Sequence, residues 1–202
     1  DILNLTGTVS GNTTAIATKL DEANSVYLPN YTKYCVDGRD DLATVIASIT
    51  NLNTVVNISQ GSFGGTTPLV INKDSIDLIA PPATPAAVEF AYPISTATTA
   101  DRISMRYLSF DADFSAGSKR STYNHCTFNE DLNIQASATA GYMTFANCEF
   151  AAGKTISVQN TFASVIYFIN CNFESIGTFT LSQASATQVI FSNCAGFVSF
   201  PT

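Results

Sequence analysis

Apolar and polar residues alternate with period two through most of the second half of the chain, as in Tyr142-Met143-Thr144-Phe145. That period belongs to strands with one buried face. The alternation itself recurs. Cys126, Cys148, Cys171 and Cys194 follow one another at nearly even steps of 22, 23 and 23. Three positions before them come Tyr123, Phe145, Phe168 and Phe191; five before come Ser121, Met143, Ile166 and Val189. Two after come Phe128, Phe150 and Phe173, with the last unit slipping at Gly196 toward Phe197. Immediately before the cysteines stand His125, Asn147, Asn170 and Asn193. A second apolar pair follows as Ile156/Val158 and Phe179/Leu181, with Ile134 in the matching place of the preceding unit. A weaker early copy reads Ile103, Met105, Leu108, Phe110.

A unit of this length is too short for a βαβ crossover, and nothing in it has helical periodicity. The chain is therefore predicted to be all-β, each unit being one turn of a parallel β-helix (solenoid) stacked on its neighbours. Equivalent positions then lie about 4.8 Å apart. Like side chains form ladders: ring on ring, thiol on thiol, amide on amide. The clearest repeats cover residues 103–200, and the four cysteines read as a buried thiol ladder.

The first half differs. Residues 1–34 are rich in Thr, Ser, Asn and Ala, with weak alternation, and read as an N-terminal arm or linker; residues 35–202 read as the β-helix domain. Asp40 or Asp41 suits a helix N-cap, and Leu42, Val45, Ile46 and Ile49 follow at i, i+3, i+4 and i+7. A short amphipathic capping helix is expected at about 40–50, followed by a strand through Val55, Val56 and Ile58. The segment from Asp37-Gly38 to Ile49 resembles the opening of the pectin-lyase-like right-handed β-helices of phage tailspikes and tail fibres, and Gly61-Ser62-Phe63 resembles that family's next strand-turn. Leu42 stands where the family usually has Thr, and Ser59 where it often has Pro. The resemblance implies a single-stranded right-handed coil whose helix plugs the open end. It further implies a homotrimeric virion appendage, attached to other tail proteins and directed at a host cell-surface glycan or receptor. The absence of an initial Met and the ending at Pro201-Thr202 fit a piece of a larger fibre.

Composition narrows the chemistry. Charged residues make up 12% of the chain, about half the usual share, against 46% apolar residues. That balance excludes a disordered chain. A net charge of −7 without a basic run offers no nucleic-acid footprint, and the longest apolar runs are too short for membrane insertion. No cofactor or metal signature is present. Asp111-Ala112-Asp113 has calcium-loop character, but Gly117 falls at the seventh position and Thr122 at the twelfth. The one histidine, His125, reads as the end of the amide ladder, its imidazole continuing the hydrogen-bond stack. Lys119-Arg120 reads as a solvated corner, with contact to an anionic glycan as the alternative.

Tailspikes of this resemblance that cleave polysaccharide use paired carboxylates. The candidates here are Asp111, Asp113, Glu130 and Asp131, on turns that the stacking could bring together, with Glu149 and Glu174 on later turns. Sugar grooves commonly carry Trp platforms, and this chain has no Trp but eight Tyr. The leading expectation is thus a structural, receptor-facing fibre segment without its own catalytic site. A polysaccharide depolymerase on the same fold is the alternative. A bacterial β-helix adhesin is the third reading.

Overall fold

The structure, a computed structural model, describes residues 32–36, 39–82, 88–135, 141–160, 164–173, 176–183 and 187–196. Nineteen strands and one helix occur among them. Strands pair only in parallel, each with its equivalent one turn away, and build three sheets. Sheet A contains β1 (Thr32–Val36), β2 (Thr54–Ile58), β5 (Ile76–Ile79), β8 (Ile103–Arg106), β11 (Arg120–Asn124), β14 (Tyr142–Ala146), β17 (Val165–Ile169) and β19 (Gln188–Ser192), in chain order. Sheet B contains β3 (Gly61–Gly64), β6 (Val88–Ala91), β9 (Ser109–Phe110), β12 (Thr127–Phe128) and β15 (Glu149–Phe150). Sheet C contains β4 (Leu69–Ile71), β7 (Ile94–Thr96), β10 (Phe114–Ala116), β13 (Leu132–Gln135), β16 (Thr155–Asn160) and β18 (Thr178–Gln183). The chain runs A, B, C and back to A, so it is a parallel β-solenoid of about five turns.

Sheet A fixes the turn length. Thr32, Thr54 and Ile76 are successive partners at even steps. Ser121, Met143, Ile166 and Val189 are successive partners at nearly the same step, in phase with the cysteines. Between these two regular runs the spacing is uneven: the step from Ile76 to Ile103 is long, and the step from Ile103 to Ser121 is short. β1 begins inside the stretch read as an arm: Thr32–Val36 lies in register on Thr54–Ile58, so among the described residues the sheet starts at Thr32. The rest of that stretch, residues 1–31, lies outside the described residues, as do Phe197 and the C-terminus.

The interior follows from the period-two pattern. Inward residues of sheet A stack as Tyr123, Phe145, Phe168 and Phe191, with ring centroids 4.7, 5.0 and 5.2 Å apart and nearly parallel planes. Sheet B supplies a second column, Phe63, Phe90, Phe110, Phe128, Phe150 and Phe173, whose neighbouring rings lie 4.9–6.0 Å apart. The columns meet edge-on, as in Phe128–Phe145 at 66°. Each aromatic contact adds about 0.5–1.5 kcal/mol beyond area burial. On sheet C the register differs from expectation: Ile134 pairs with Val158, and Leu132 pairs with Ile156. The turn through Ala151–Lys154 makes the step from Leu132 to Ile156 longer, by two positions, than the step from Ser121 to Met143 on sheet A.

Helix α1 (Arg39–Ser48) stands where the first turn would otherwise lay strands of sheets B and C. Its apolar stripe is turned into the core: Leu42, Ile46 and the following Ile49 are buried in one cluster with Val36, Val56 and Ile58, and Val45 packs on its margin. Burying that stripe removes the N-terminal cross-section of the core from water. The helix starts at Arg39, which puts Asp40 in its first turn, where an acid complements the helix dipole.

Candidate functional site

The corner between sheets B and C gathers the acids singled out from the sequence. Phe110 pairs with Phe128, and Phe114 with Leu132. Asp111 therefore stacks on Asn129, and Asp113 on Asp131, one strand spacing apart. Asp111 Oδ1 accepts from Asn129 Nδ2 at 2.6 Å and from Ser109 Oγ at 3.1 Å. Asp131 Oδ1 accepts from the Thr155 backbone N–H at 2.8 Å. Glu130 is ion-paired with Lys154 of the next turn. Glu130 first, and Asp131 and Asp113 more weakly, push the Lys154 ammonium above its ordinary range. Asp113 is the exposed member of the group. Glu149 is exposed on β15, in register with Thr127 and Asn172, and joins none of these bonds. Glu174 lies outside the described residues.

The stacking thus brings the four acids of two turns together with a lysine from a third. Three of them are committed to neighbouring donors. The same bonds join successive turns where no sheet does so. Among the described residues no group of three or more His, Cys, Asp or Glu is arranged to hold a metal ion, and no helix is long and apolar enough to cross a membrane.

The corner between sheets A and B holds the amide ladder, and its backbone explains the composition. Tyr107, His125, Asn147, Asn170 and Asn193 all have φ between 51° and 61°. Asn tolerates this left-handed region better than other residues with a β-carbon. Each amide also bonds along the stack: Asn193 donates to Asn170 at 2.8 Å, Asn170 to Asn147 at 3.2 Å, and Asn147 to Asn124 at 3.0 Å. The ladder ends on Asn124, not on His125. The imidazole instead stacks on the Tyr107 ring at 5.1 Å, and its Nδ1 is buried without a hydrogen-bond partner. Tyr107 and His125 are the two ring-bearing residues of this corner, so the imidazole meets its neighbour ring on ring and leaves the amide row to the Asn residues.

Just inside this corner run the thiols. Cys126, Cys148 and Cys171 are buried, Cys194 is partly so, and all four are free. Each donates to the carbonyl of an inward residue of the preceding turn: Met105, Tyr123, Phe145 and Phe168, at 3.5, 3.4, 3.3 and 3.2 Å. Burial pushes the Cys148 thiol up, while its hydrogen bond with Cys148 holds the Cys171 thiol below the ordinary value. One further polar column was not singled out from the sequence. Asn53, Ser75 and Arg102, just ahead of β2, β5 and β8, also take φ of 56–59°. Only Asn53 carries a compositional hint of such a turn.

No protein family, no curated protein and no solved structure matches this chain. Its class, a parallel β-solenoid with one short helix among the described residues, is carried by its own geometry.

Proposed function

We propose that the chain is a structural, host-surface-recognition segment of a phage tail fibre or tailspike, assembled as a homotrimer and joined to other tail proteins of the virion. The observation that carries this reading is the plugged solenoid: α1 seals the first turn directly behind the Asp37-Gly38 segment, whose sequence resembles the opening of those appendages. The outer face of sheet A supports it. Over the last three turns that face is uncharged, with Tyr142 49% exposed on Val165, and Ile190 39% exposed on Tyr167. Such a flat, semi-apolar surface suits a saccharide or a sister subunit. A depolymerase is the second reading, favoured by the exposed Asp113 beside Glu130 and Asp131.

Mass photometry at micromolar concentration is expected to give three times the chain mass, and a monomer would overturn the fibre assignment. Incubation with host capsule or O-antigen is expected to release no new reducing ends or unsaturated sugars. Release abolished by Asp113→Asn or Glu130→Gln would establish the second reading instead.

A further inference from the structure

A groove of about 250 Å³ opens on the outer side of sheet A beside its first turns, lined by Asn53, Val55, Ser75, Asp77, Arg102 and Ser104. The register places Asn53, Ser75 and Arg102 in adjacent turns, since Thr54, Ile76 and Ile103 are successive partners. Backbone bonds lock the column: Thr54 N–H donates to the Ser75 carbonyl at 2.9 Å, and Ser75 N–H to the Asp101 carbonyl at 2.8 Å. The middle hydroxyl, Ser75 Oγ, is on a residue only 7% exposed and has no hydrogen-bond partner. A buried hydroxyl without a partner, on the wall of a groove, calls for a polar group in that groove.

The charges around the groove are unequally used. Asp77 is held by Arg106 through two contacts, Nε to Oδ1 at 3.3 Å and Nη2 to Oδ2. Asp101 is held in the same way by Arg120. Arg102 forms no ion pair among the described residues, and it is exposed. It is also the least suited of the three column residues to a φ of 57°. Asn or Gly at this position would carry less backbone strain. The Arg102 charge helps, behind Arg120, to lower the Asp101 carboxyl, but its guanidinium enters no ion pair among the described residues; a strained residue with such a charge, at the lip of a groove, is characteristic of a ligand site.

The geometry points to a binding site for one carboxylate-bearing saccharide unit, with the Arg102 guanidinium taking the carboxylate. Asn53, Ser75 and Ser104 supply donors and acceptors for ring hydroxyls, and Val55 supplies an apolar floor. One guanidinium outside any ion pair matches a singly charged anion. The volume lies just below the roughly 300–1,000 Å³ of drug-sized pockets and accommodates a single sugar ring. This inference rests on the surface-recognition reading and names both the sugar class and the place.

The test is chemical-shift mapping with methyl glucuronide, methyl galacturonide and N-acetylneuraminic acid, with methyl glucoside and acetate as controls. At least one acidic sugar is expected to shift the amides of Asn53, Ser75 and Ser104, and to bind more tightly than either control. Arg102→Asn is expected to weaken that binding about tenfold or more, while its melting temperature stays level or rises because Asn accepts the left-handed turn. Acetate binding as well as the sugar, or an unchanged affinity in Arg102→Asn, overturns the site. A fall of several degrees in the variant's melting temperature makes Arg102 structural and also overturns it. Screening the same protein on host glycans separates the two ideas. Glycan binding unaffected by Arg102→Asn sinks this site and spares surface recognition. Monosaccharide binding without any host-glycan binding does the reverse.

Discussion

Replacing Asn147 by Ala and by Gly isolates what the corner between sheets A and B demands. The residue has φ of 52° and sits in the middle of the amide ladder, with one bond to Asn124 at 3.0 Å and one from Asn170 at 3.2 Å. Both substitutions remove both bonds. At an exposed corner these are worth about 0.5 kcal/mol each, the low end of the net range. Asn147→Ala adds the left-handed penalty of roughly 1–2 kcal/mol. Asn147→Gly avoids it but enlarges the unfolded ensemble, at a cost of about 0.4–1 kcal/mol. The totals are about 2–3 kcal/mol for Ala and about 1.5–2 for Gly, which reverses the usual order of the two residues. Urea titrations followed by far-UV circular dichroism measure both differences. Thr144, outward in the middle of β14, is the control, and there Thr144→Gly is expected to be the less stable of its pair. If Asn147→Ala proves as stable as Asn147→Gly, the corner imposes no left-handed demand and the explanation of the ladder fails.

Phe145→Ala, in the centre of the fully buried aromatic column, is expected to cost about 3–5 kcal/mol. Hydrogen exchange should show lost protection concentrated in β11, β14 and β17, because a solenoid transmits little beyond nearest neighbours; a uniform loss would contradict that. Alkylation with peptide mapping should modify Cys194 well before Cys126, Cys148 and Cys171, and equal rates would mean that the thiol column is open. The Arg120 guanidinium holds the Asp101 carboxyl below its ordinary range, so the stability it confers is present above about pH 4 and lost as pH falls through the lowered value. Asp101→Asn should therefore lower stability near neutrality and converge with the parent protein in strong acid, as read by denaturant midpoints across pH. Gly141→Ala would place a methyl 1.9 Å from the Lys119 carbonyl, which accepts the Tyr142 N–H in the turn stack, and is expected to cost about 2–4 kcal/mol by the same titration.

The cysteine phase made the later turns legible, because one inward position carries a distinctive residue in four successive units. The registers Ser121 on Met143 and Phe145 on Phe168 are those implied by that phase. Even the weak copy is placed correctly, Met105 on Tyr123 and Phe110 on Phe128. Phase alone could not fix Ile134, because a slight lengthening in the corner near Gly153 leaves every sheet residue looking periodic. The short step from Ile103 to Ser121 was legible in the weak copy, but the long step before Ile103 was hidden for the same reason: corners absorb length without altering what faces inward. The acids of the corner between sheets B and C were legible as neighbours but not as partners, since Lys154 and the Thr155 amide arrive from a later turn. Arg102 gave no signal at all. A left-handed arginine is defined by a dihedral angle, and no pattern of residue types announces it.

Sheet A lists its strands in chain order, from β1 to β19, so the two ends of the described chain lie at opposite ends of the stack. Tension applied through those ends acts along the inter-strand hydrogen bonds and loads them one turn after another instead of all at once. Under a steady pull the molecule should give way stepwise, each step releasing one turn. For a regular turn that is roughly 75 Å of contour. An extension trace would then be a row of similar teeth, broken by one long and one short tooth for the unequal pair. The solenoid would work as a ratcheting strain absorber, whose repeat length is set by the turns already visible in the spacing of its cysteines.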